Sequence, residues 1–119
     1  MREWIQEEHR EHKMYAGADG EAIPEEFREA RNKGLYYLQF SGKTENEMRK
    51  KLAEQELSPA SVEDAILFLK HYRYLDDEDY ARRYVEKNGN KKSIRQMKFD
   101  LRQKGIGDDL VEMVFEDME

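Results

Sequence analysis

The feature that most constrains the fold of this chain is an internal repeat. Five apolar residues in one stretch correspond to five in a later stretch, each at an offset of 49 positions. They pair as Met48 with Met97, Leu52 with Leu101, Leu57 with Ile106, Val62 with Val111 and Ile66 with Phe115. Self-similarity at a period of roughly 20–50 residues is typical of helical repeat arrays, in which each unit buries part of its surface on its neighbour.

Helix-start signals recur at the same offset. Thr44 and Glu47 form a capping-box pattern ahead of one apolar stretch, and Ser93 and Gln96 form another ahead of its counterpart. Because the caps and the apolar positions recur together, we interpret the two stretches as copies rather than as a chance alignment of short amphipathic helices.

Three helices are predicted in each copy, because the apolar residues recur at helical spacing and no segment has a strand pattern. In the first copy, Pro24 is expected in the first turn of the first helix. The sequence therefore predicts an all-α fold of two tandem three-helix repeats, each helix-turn-helix-like, with no sheet. The predicted units are residues 23–74 and 75–119, and residues 1–22 are expected to form an N-terminal extension that is helical or partly disordered.

Composition excludes several classes of protein. Charged residues make up 40% and hydrophobic residues 38% of the 119 positions, so the core must be thin. The chain has no cysteine, which rules out a disulfide scaffold and a thiol nucleophile and is typical of the reducing cytoplasm, where we expect this protein. No apolar run approaches the roughly 18–20 residues that span a bilayer, and no signal peptide is expected.

Candidate catalytic and metal sites are weak. His9 and His12 stand three residues apart, but no third ligand accompanies them. Asp76, Asp77 and Asp79 open a helix, where carboxylates are typical of capping. The chain has neither a glycine-rich phosphate loop nor a histidine paired with a nucleophile. We therefore expect no enzyme activity, no catalytic residue, no cofactor and no metal.

Charge is distributed unevenly around a net value of −6. Residues 82–104 carry nine basic side chains against two acidic ones, whereas residues 105–119 carry six acidic side chains and no basic one. The basic block can be an electrostatic footprint for phosphate or an acidic partner. Alternatively, it is a solvated helix face that pairs with its own acidic neighbours.

Within this block, residues 94–104 predict an amphipathic helix whose apolar face is Ile94, Met97 and Leu101. Three cations about 90° away define what we term the basic stripe: Arg95, Lys98 and Arg102. Phe99 lies beside the stripe, either as a stacking or anchoring residue or as a core residue packed on the neighbouring repeat. The predicted partner- or nucleic-acid-binding residues are Arg82, Arg83, Lys91, Lys92, Arg95, Lys98, Phe99, Arg102 and Lys104.

Three segments of the sequence are informative when they are taken in order. They are ARNKGLYYLQFSGKTENEMRKKL at 30–52, YLDDEDYARRYV at 74–85 and KSIRQMKFDLRQKGI at 92–106. Together they resemble the RecX family of recombination regulators. The resemblance covers roughly residues 27–118. It implies an array of three-helix repeats that binds along the groove of the RecA recombinase filament on single-stranded DNA and restrains its activity. Family members commonly have three such repeats, whereas this sequence has two.

The most family-like residues also have structural roles. They are Asp76, Asp77, Tyr80, Ala81, Tyr84, Leu101, Gly105 and Ile106. Asp76 is expected to cap a helix, and Gly105 to end the next one in a Schellman motif that packs Ile106 on Leu101. Glu56 occupies the position of Gly105 in the first copy.

The resemblance makes a monomeric regulator of the RecA filament the leading functional hypothesis, with single- or double-stranded DNA as weaker partners. The alternative is a stand-alone helix-turn-helix-like DNA-binding module that uses the basic helix at 93–104 as its reader. The net charge of −6 disfavours this alternative.

Overall fold

A computed structural model describes residues 15–117 of this chain. Within that range the chain forms helices and no strand, so the predicted all-α class is confirmed. The helices are α1 (Glu25–Leu38), α2 (Glu45–Ala53), α3 (Pro59–His71), α4 (Asp77–Asn88), α5 (Ile94–Gln103) and α6 (Asp108–Asp117). His9 and His12 lie outside the described residues.

Helices α1, α2 and α3 form the first unit. α1 packs mainly against α3, and Gly34 permits the close approach, since a Cβ at that position would lie 2.7 Å from Cδ1 of Leu69. The core of this unit is made by Ala30, Met48, Leu52, Val62, Ala65, Ile66, Leu69 and Leu75. A single apolar stripe from each helix is thus enough to close the unit.

Helices α4, α5 and α6 form the second unit around a separate core. Its buried residues are Ala81, Val85, Met97, Leu101, Ile106, Val111, Val114 and Phe115. The later-copy residues of the 49-position pairs all lie in this core, and their counterparts are buried in the first core or packed against it. The internal repeat predicted from the sequence is therefore confirmed.

The predicted helix starts are also confirmed. The Thr44 hydroxyl accepts a hydrogen bond from the amide of Glu47 at 3.1 Å, and the Glu47 carboxylate accepts one from the amide of Thr44 at 3.0 Å, which completes a capping box. The Ser93 hydroxyl accepts from the amide of Gln96 at 3.1 Å, but the Gln96 side chain donates to Asp100 at 2.8 Å, so this N-cap is confirmed without the reciprocal half of the predicted capping box. Pro24 differs from expectation because its extended ψ of 145° makes it the N-cap rather than a first-turn residue.

Three helices are followed by a left-handed residue. Gly105 has φ 90°, and the Ile106 amide donates to the Leu101 carbonyl at 3.1 Å, as in a Schellman motif. Glu56 is also left-handed, with φ 58°. Arg73, with φ 61°, ends α3 in the same way, an ending that sequence reasoning missed because the residue is not glycine.

A buried ion pair joins α1 to α3. The side chains of Arg31 and Asp64 are 7% and 4% exposed, and Nε of Arg31 lies 2.8 Å from Oδ2 of Asp64. Arg31 also donates to the carbonyl of Ala16, and its guanidinium lies 4.5 Å from the ring centroid of Phe68 and 5.3 Å from that of Tyr15. The pair thereby holds the segment that precedes α1 against the first unit.

One residue of the predicted apolar face of α5 is not buried. Met97 and Leu101 lie in the core, but Ile94 is 51% exposed. Ile94 is the first residue of α5 and corresponds to Glu45 in the first copy, whose amide donates to Asp77 of the following unit at 2.8 Å. Ile94 is not part of the core of the second unit.

Candidate binding groove between the repeats

The start of α2 meets the second unit and joins the two repeats. The buried Thr44 hydroxyl, which caps α2, donates to the carbonyl of Lys104 at 2.7 Å. Asn46 packs against Gly105 so closely that a Cβ on the glycine would lie 2.4 Å from Cβ of Asn46. Glycine is therefore required at position 105 for two reasons, the left-handed backbone conformation and the close contact with Asn46.

Asp77 also belongs to the joint, a role that sequence reasoning missed. Its Oδ1 accepts a hydrogen bond from the amide of Glu45 at 2.8 Å. Burial raises the pKa of Asp77, and the hydrogen bond from Glu45 partly opposes this. The sequence signal for this contact is an acidic residue beside a helix cap. The same signal also predicts simple capping, so the sequence could not distinguish the two roles.

A groove runs along this joint. It consists of three depressions of about 530, 470 and 380 Å³ that share lining residues, among them Tyr80, Glu47 and Lys104. We define the inter-repeat groove by its charged lining residues, which come from both units. The basic ones are Lys43, Lys50, Lys51, Arg83, Lys87, Lys92 and Lys104, and the acidic ones are Glu47 and Asp100. A chain of net charge −6 thus assembles a strongly basic surface.

Many of these cations are free to bind a partner. Across residues 15–117, seven basic side chains have no carboxylate partner: Lys33, Lys43, Lys50, Lys51, Lys87, Lys91 and Arg95. Four of them, Lys43, Lys50, Lys51 and Lys87, line the inter-repeat groove. An unpaired lysine can neutralise a phosphate or carboxylate without first giving up an internal ion pair.

A hydrogen-bonded network fixes one end of the groove. Nζ of Lys92 donates to the Tyr84 hydroxyl at 2.8 Å and to Oδ2 of Asp100 at 2.9 Å, and the Tyr84 hydroxyl donates to Asp100. The hydrogen bonds from Tyr84 and Lys92 lower the pKa of Asp100 to about 2. The bonds to Tyr84 and Asp100 raise the pKa of Lys92 to about 12. Both groups therefore stay charged near neutral pH.

The basic stripe lies elsewhere, facing α6. Nζ of Lys98 is 2.8 Å from Glu112, and Arg102 is 2.6 Å from Asp108 and 2.7 Å from Glu112. Lys98 lowers the pKa of Glu112 through its hydrogen bond. Arg95 has no carboxylate partner in the described part of the chain. For Lys98 and Arg102, this geometry supports the interpretation of a face paired with its own acidic neighbours.

Of the other predicted binding residues, three line the groove, and Arg82 and Lys91 lie outside both the groove and the basic stripe. Arg83, Lys92 and Lys104 line the groove, although Arg83 also pairs with Asp79 at 2.7 Å. Arg82 pairs with acidic residues of α4 and α6 and does not line the groove. Lys91 is exposed in the turn before α5.

Phe99 is 55% exposed, so the interpretation that it packs as a core residue against the neighbouring repeat is wrong. Its place on α5, one position after Lys98, keeps it beside the basic stripe rather than on the apolar side with Met97 and Leu101. Whether its ring contacts a partner stays a prediction.

Lys43, Lys50 and Lys51 are binding candidates that sequence reasoning missed. In the sequence they stand among acidic residues such as Glu45 and Glu54, so the local charge is diluted. The acidic neighbour Glu45 is engaged elsewhere, because it pairs with Arg49 and Lys70. A local sequence signal could not have shown which lysines fold toward the second unit.

A tandem array of three-helix units with a polybasic groove at the joint defines a helical-repeat binding protein. Comparison with protein-family models finds "RecX, first three-helix domain" at residues 30–69 and "RecX, second three-helix domain" at residues 76–114. The chain belongs to the RecX family.

Relatives agree with this assignment. The chain is 35% identical over 83 residues to the regulatory protein RecX of Clostridium acetobutylicum. The aligned region covers 70% of this chain and 39% of that relative. The chain is also 36% identical over 98 residues to the regulatory protein RecX of Clostridium perfringens, covering 78% and 46% respectively. The chain thus spans less than half the length of these curated relatives.

Solved structures show the same fold. A crystal structure of regulatory protein RecX matches with a TM-score of 0.71 and 29% identity, covering 79% of this chain and 47% of that one. RecX from Lactobacillus salivarius matches with a TM-score of 0.75 and 24% identity, covering 82% and 64%. Among the described residues, no helix is long and apolar enough to cross a membrane.

Proposed function

We propose that this chain binds the RecA recombinase filament on single-stranded DNA and modulates, by inhibition, its recombination and repair activity. Membership of a family of regulatory proteins supports this proposal. The observation that carries it is the inter-repeat groove, which collects free lysines from both units of an otherwise acidic chain. A filament that contains DNA is polyanionic, so such a surface attracts it, while the acidic remainder discourages indiscriminate binding.

The shape of the protein supports the same role. Hydrogen bonds at Thr44 and Glu45 hold the two units together, so their lysines form one surface rather than two independent ones. The protein measures 48 × 37 × 18 Å and is therefore a thin slab. A slab with one basic groove is suited to lie along the groove of a helical filament.

The groove favours binding over catalysis. Its two carboxylates are both committed to the fold, since Glu47 completes the capping box and Asp100 accepts hydrogen bonds from Tyr84 and Lys92. Neither is available as a general base. We therefore propose a non-enzymatic regulator that acts in the cytoplasm as a monomer and needs no cofactor.

Two charge-reversal variants test the proposal with equal changes in net charge. The first replaces three groove lysines that have no carboxylate partner, Lys43→Glu, Lys50→Glu and Lys87→Glu. The second replaces the basic stripe, Arg95→Glu, Lys98→Glu and Arg102→Glu. We expect the groove variant to bind RecA filaments on single-stranded DNA at least roughly tenfold more weakly than the parent in a pull-down, because several phosphate or carboxylate contacts are lost together. The stripe variant should lose less binding affinity than the groove variant.

The stripe remains part of the proposed site through Arg95, whose side chain is free. If the stripe variant loses as much binding as the groove variant, both surfaces contact the filament. Equal binding by the parent and both variants at low salt would show that neither surface is the site. Tight, strongly salt-dependent binding of naked duplex DNA by the parent would instead favour the DNA-binding module.

A further inference from the structure

Two exposed aromatic rings mark the end of α1. Phe40 is 70% exposed and Tyr36 is 55% exposed. Their ring centroids are 5.0 Å apart with an interplanar angle of 74°, an edge-to-face contact that leaves ring surface open to solvent. Neither ring belongs to the core of the first unit. We define Tyr36 and Phe40 as the aromatic shelf.

The aromatic shelf adjoins the inter-repeat groove along the chain, and Tyr36 also lines a separate depression on α1 that includes Glu25 and Glu29. Phe40 is followed directly by Ser41, Gly42 and Lys43, which line the groove. On the other side, Tyr36 contacts Tyr37, and Nζ of Lys51 lies 5.3 Å from the Tyr37 ring centroid. Lys51 lines the same depression as Lys43. Flat apolar rings thus stand at the edge of a surface of free cations.

Cations and rings in this arrangement match the chemistry of single-stranded nucleic acid. Such a strand presents phosphates that bind lysines and unpaired bases whose faces stack on aromatic side chains. A duplex offers the phosphates but keeps its base faces stacked inside. An acidic peptide could pair with the lysines, but it would leave the two rings without a matching flat surface.

We infer that the aromatic shelf stacks an unpaired base of single-stranded DNA while Lys43 and Lys51 bind the phosphates of the same strand. The inference goes beyond the proposed function, because this contact needs no recombinase. Phe40 provides most of the stacking surface, since it is the more exposed ring. Tyr36 supports it from the side through the edge-to-face contact.

The test measures binding of the full-length chain to a fluorescent oligothymidine strand by anisotropy at low salt, without recombinase. Phe40→Ala should weaken binding roughly tenfold, because one stacked base is lost. Phe40→Trp should restore it, since tryptophan keeps the flat ring. Tyr74→Ala is the control: Tyr74 is also an exposed aromatic residue, with 55% exposure, but it does not line the inter-repeat groove, and its removal should change affinity less than twofold.

Two further ligands separate the base from the phosphates. An abasic strand of the same length should bind more weakly than oligothymidine and should not respond to Phe40→Ala. If Phe40→Ala weakens binding of the abasic strand as much as it weakens binding of oligothymidine, the inference is overturned. Equal effects of Phe40→Ala and Tyr74→Ala would also overturn it, as would binding of duplex as tight as that of the single strand.

The inference and the proposed function can fail separately. If Phe40→Ala weakens the pull-down with RecA filaments but leaves naked oligothymidine binding unchanged, the shelf contacts protein and the inference is wrong. If the parent binds oligothymidine as described but does not bind filaments, the proposed function is wrong, whereas the inference that the aromatic shelf stacks a base still holds. All variants should melt at the parent temperature, because Phe40 is largely exposed.

Discussion

Met48 and Leu52 of the first unit and Met97 and Leu101 of the second are all buried, with exposures between 0 and 3%. The residues at the edges of the two units behave differently. Thr44 is fully buried at the joint, whereas its counterpart Ser93 is exposed. The repeated pattern thus governs how each unit closes on itself. What a repeated residue meets at the edge of its unit depends on the neighbouring unit, as the hydrogen bond from Thr44 to the carbonyl of Lys104 shows.

The two units also use polar groups differently. The first has the buried pair of Arg31 and Asp64, whereas the position 49 residues after Asp64 is Met113, which is exposed. The second relies on the more exposed network of Tyr84, Lys92 and Asp100. This contrast suggests that the first unit is more vulnerable to loss of a single charge. Mutations at corresponding sites test that view.

The largest effect is expected in the first unit. Asp64→Ala leaves Arg31 charged, buried and without its partner, so the free energy of unfolding should fall by about 3–5 kcal/mol. Urea unfolding followed by circular dichroism measures this. The double variant Arg31→Met with Asp64→Leu should lose much less stability than Asp64→Ala, because neither charge remains buried. A loss below about 1 kcal/mol for Asp64→Ala would show that the pair contributes no more than a surface ion pair.

The helix stops provide the next comparison. Gly105→Ala should destabilise the protein by about 2–3 kcal/mol, since a left-handed alanine is strained and its Cβ would collide with Asn46. Glu56→Gly should act in the opposite direction and stabilise the first unit by roughly 1 kcal/mol, because the left-handed glutamate is replaced by the residue that tolerates this conformation. Equal melting temperatures for both variants and the parent would show that the left-handed conformation at neither position affects stability.

The equivalent N-caps should differ as well. Thr44→Ala removes a cap and the hydrogen bond to Lys104, so we expect a loss of about 2 kcal/mol. Ser93→Ala removes only a cap and should cost about 1 kcal/mol. Thermal unfolding of both variants measures the difference. Equal losses would mean that the contact with Lys104 adds no stability.

The smallest effect is a pH dependence confined to the second unit. The pKa of Asp100 is lowered from 3.8 to about 2, so its stabilising contribution is present above pH 3.8 and disappears as pH falls through about 2. Asp100→Asn should therefore be less stable than the parent near neutral pH, and the difference should shrink below pH 3.8. A carboxyl titration by NMR that places the pKa of Asp100 near its ordinary value would contradict this.

Lys92 provides the complementary test at alkaline pH. Its pKa is raised from 10.5 to about 12, so its contribution is present below pH 10.5 and is lost as pH rises through about 12. Lys92→Met should remove this alkaline dependence. The first unit lacks this network, because the position of Asp100 is occupied there by Lys51.

The sequence by itself determined the fold class, the two three-helix copies, the helix caps and the left-handed stop at Gly105. These features depend on residues close together in the chain, so apolar spacing and capping residues are sufficient to predict them. The same local logic explains why Ile94 was predicted as buried. It carries the right residue type at the right spacing, but as the first residue of α5 it lies outside the core of the second unit.

Only the tertiary structure decided which charges are free. In the sequence, residues 82–104 form the basic segment, but Lys98 and Arg102 fold onto acidic residues of α6. Lys43 and Lys50, from a segment with many acidic residues, instead face the second unit across the inter-repeat groove. The physical reason is that an ion pair depends on distance in space. Net charge along a segment does not record which carboxylate comes within a few ångströms of which lysine.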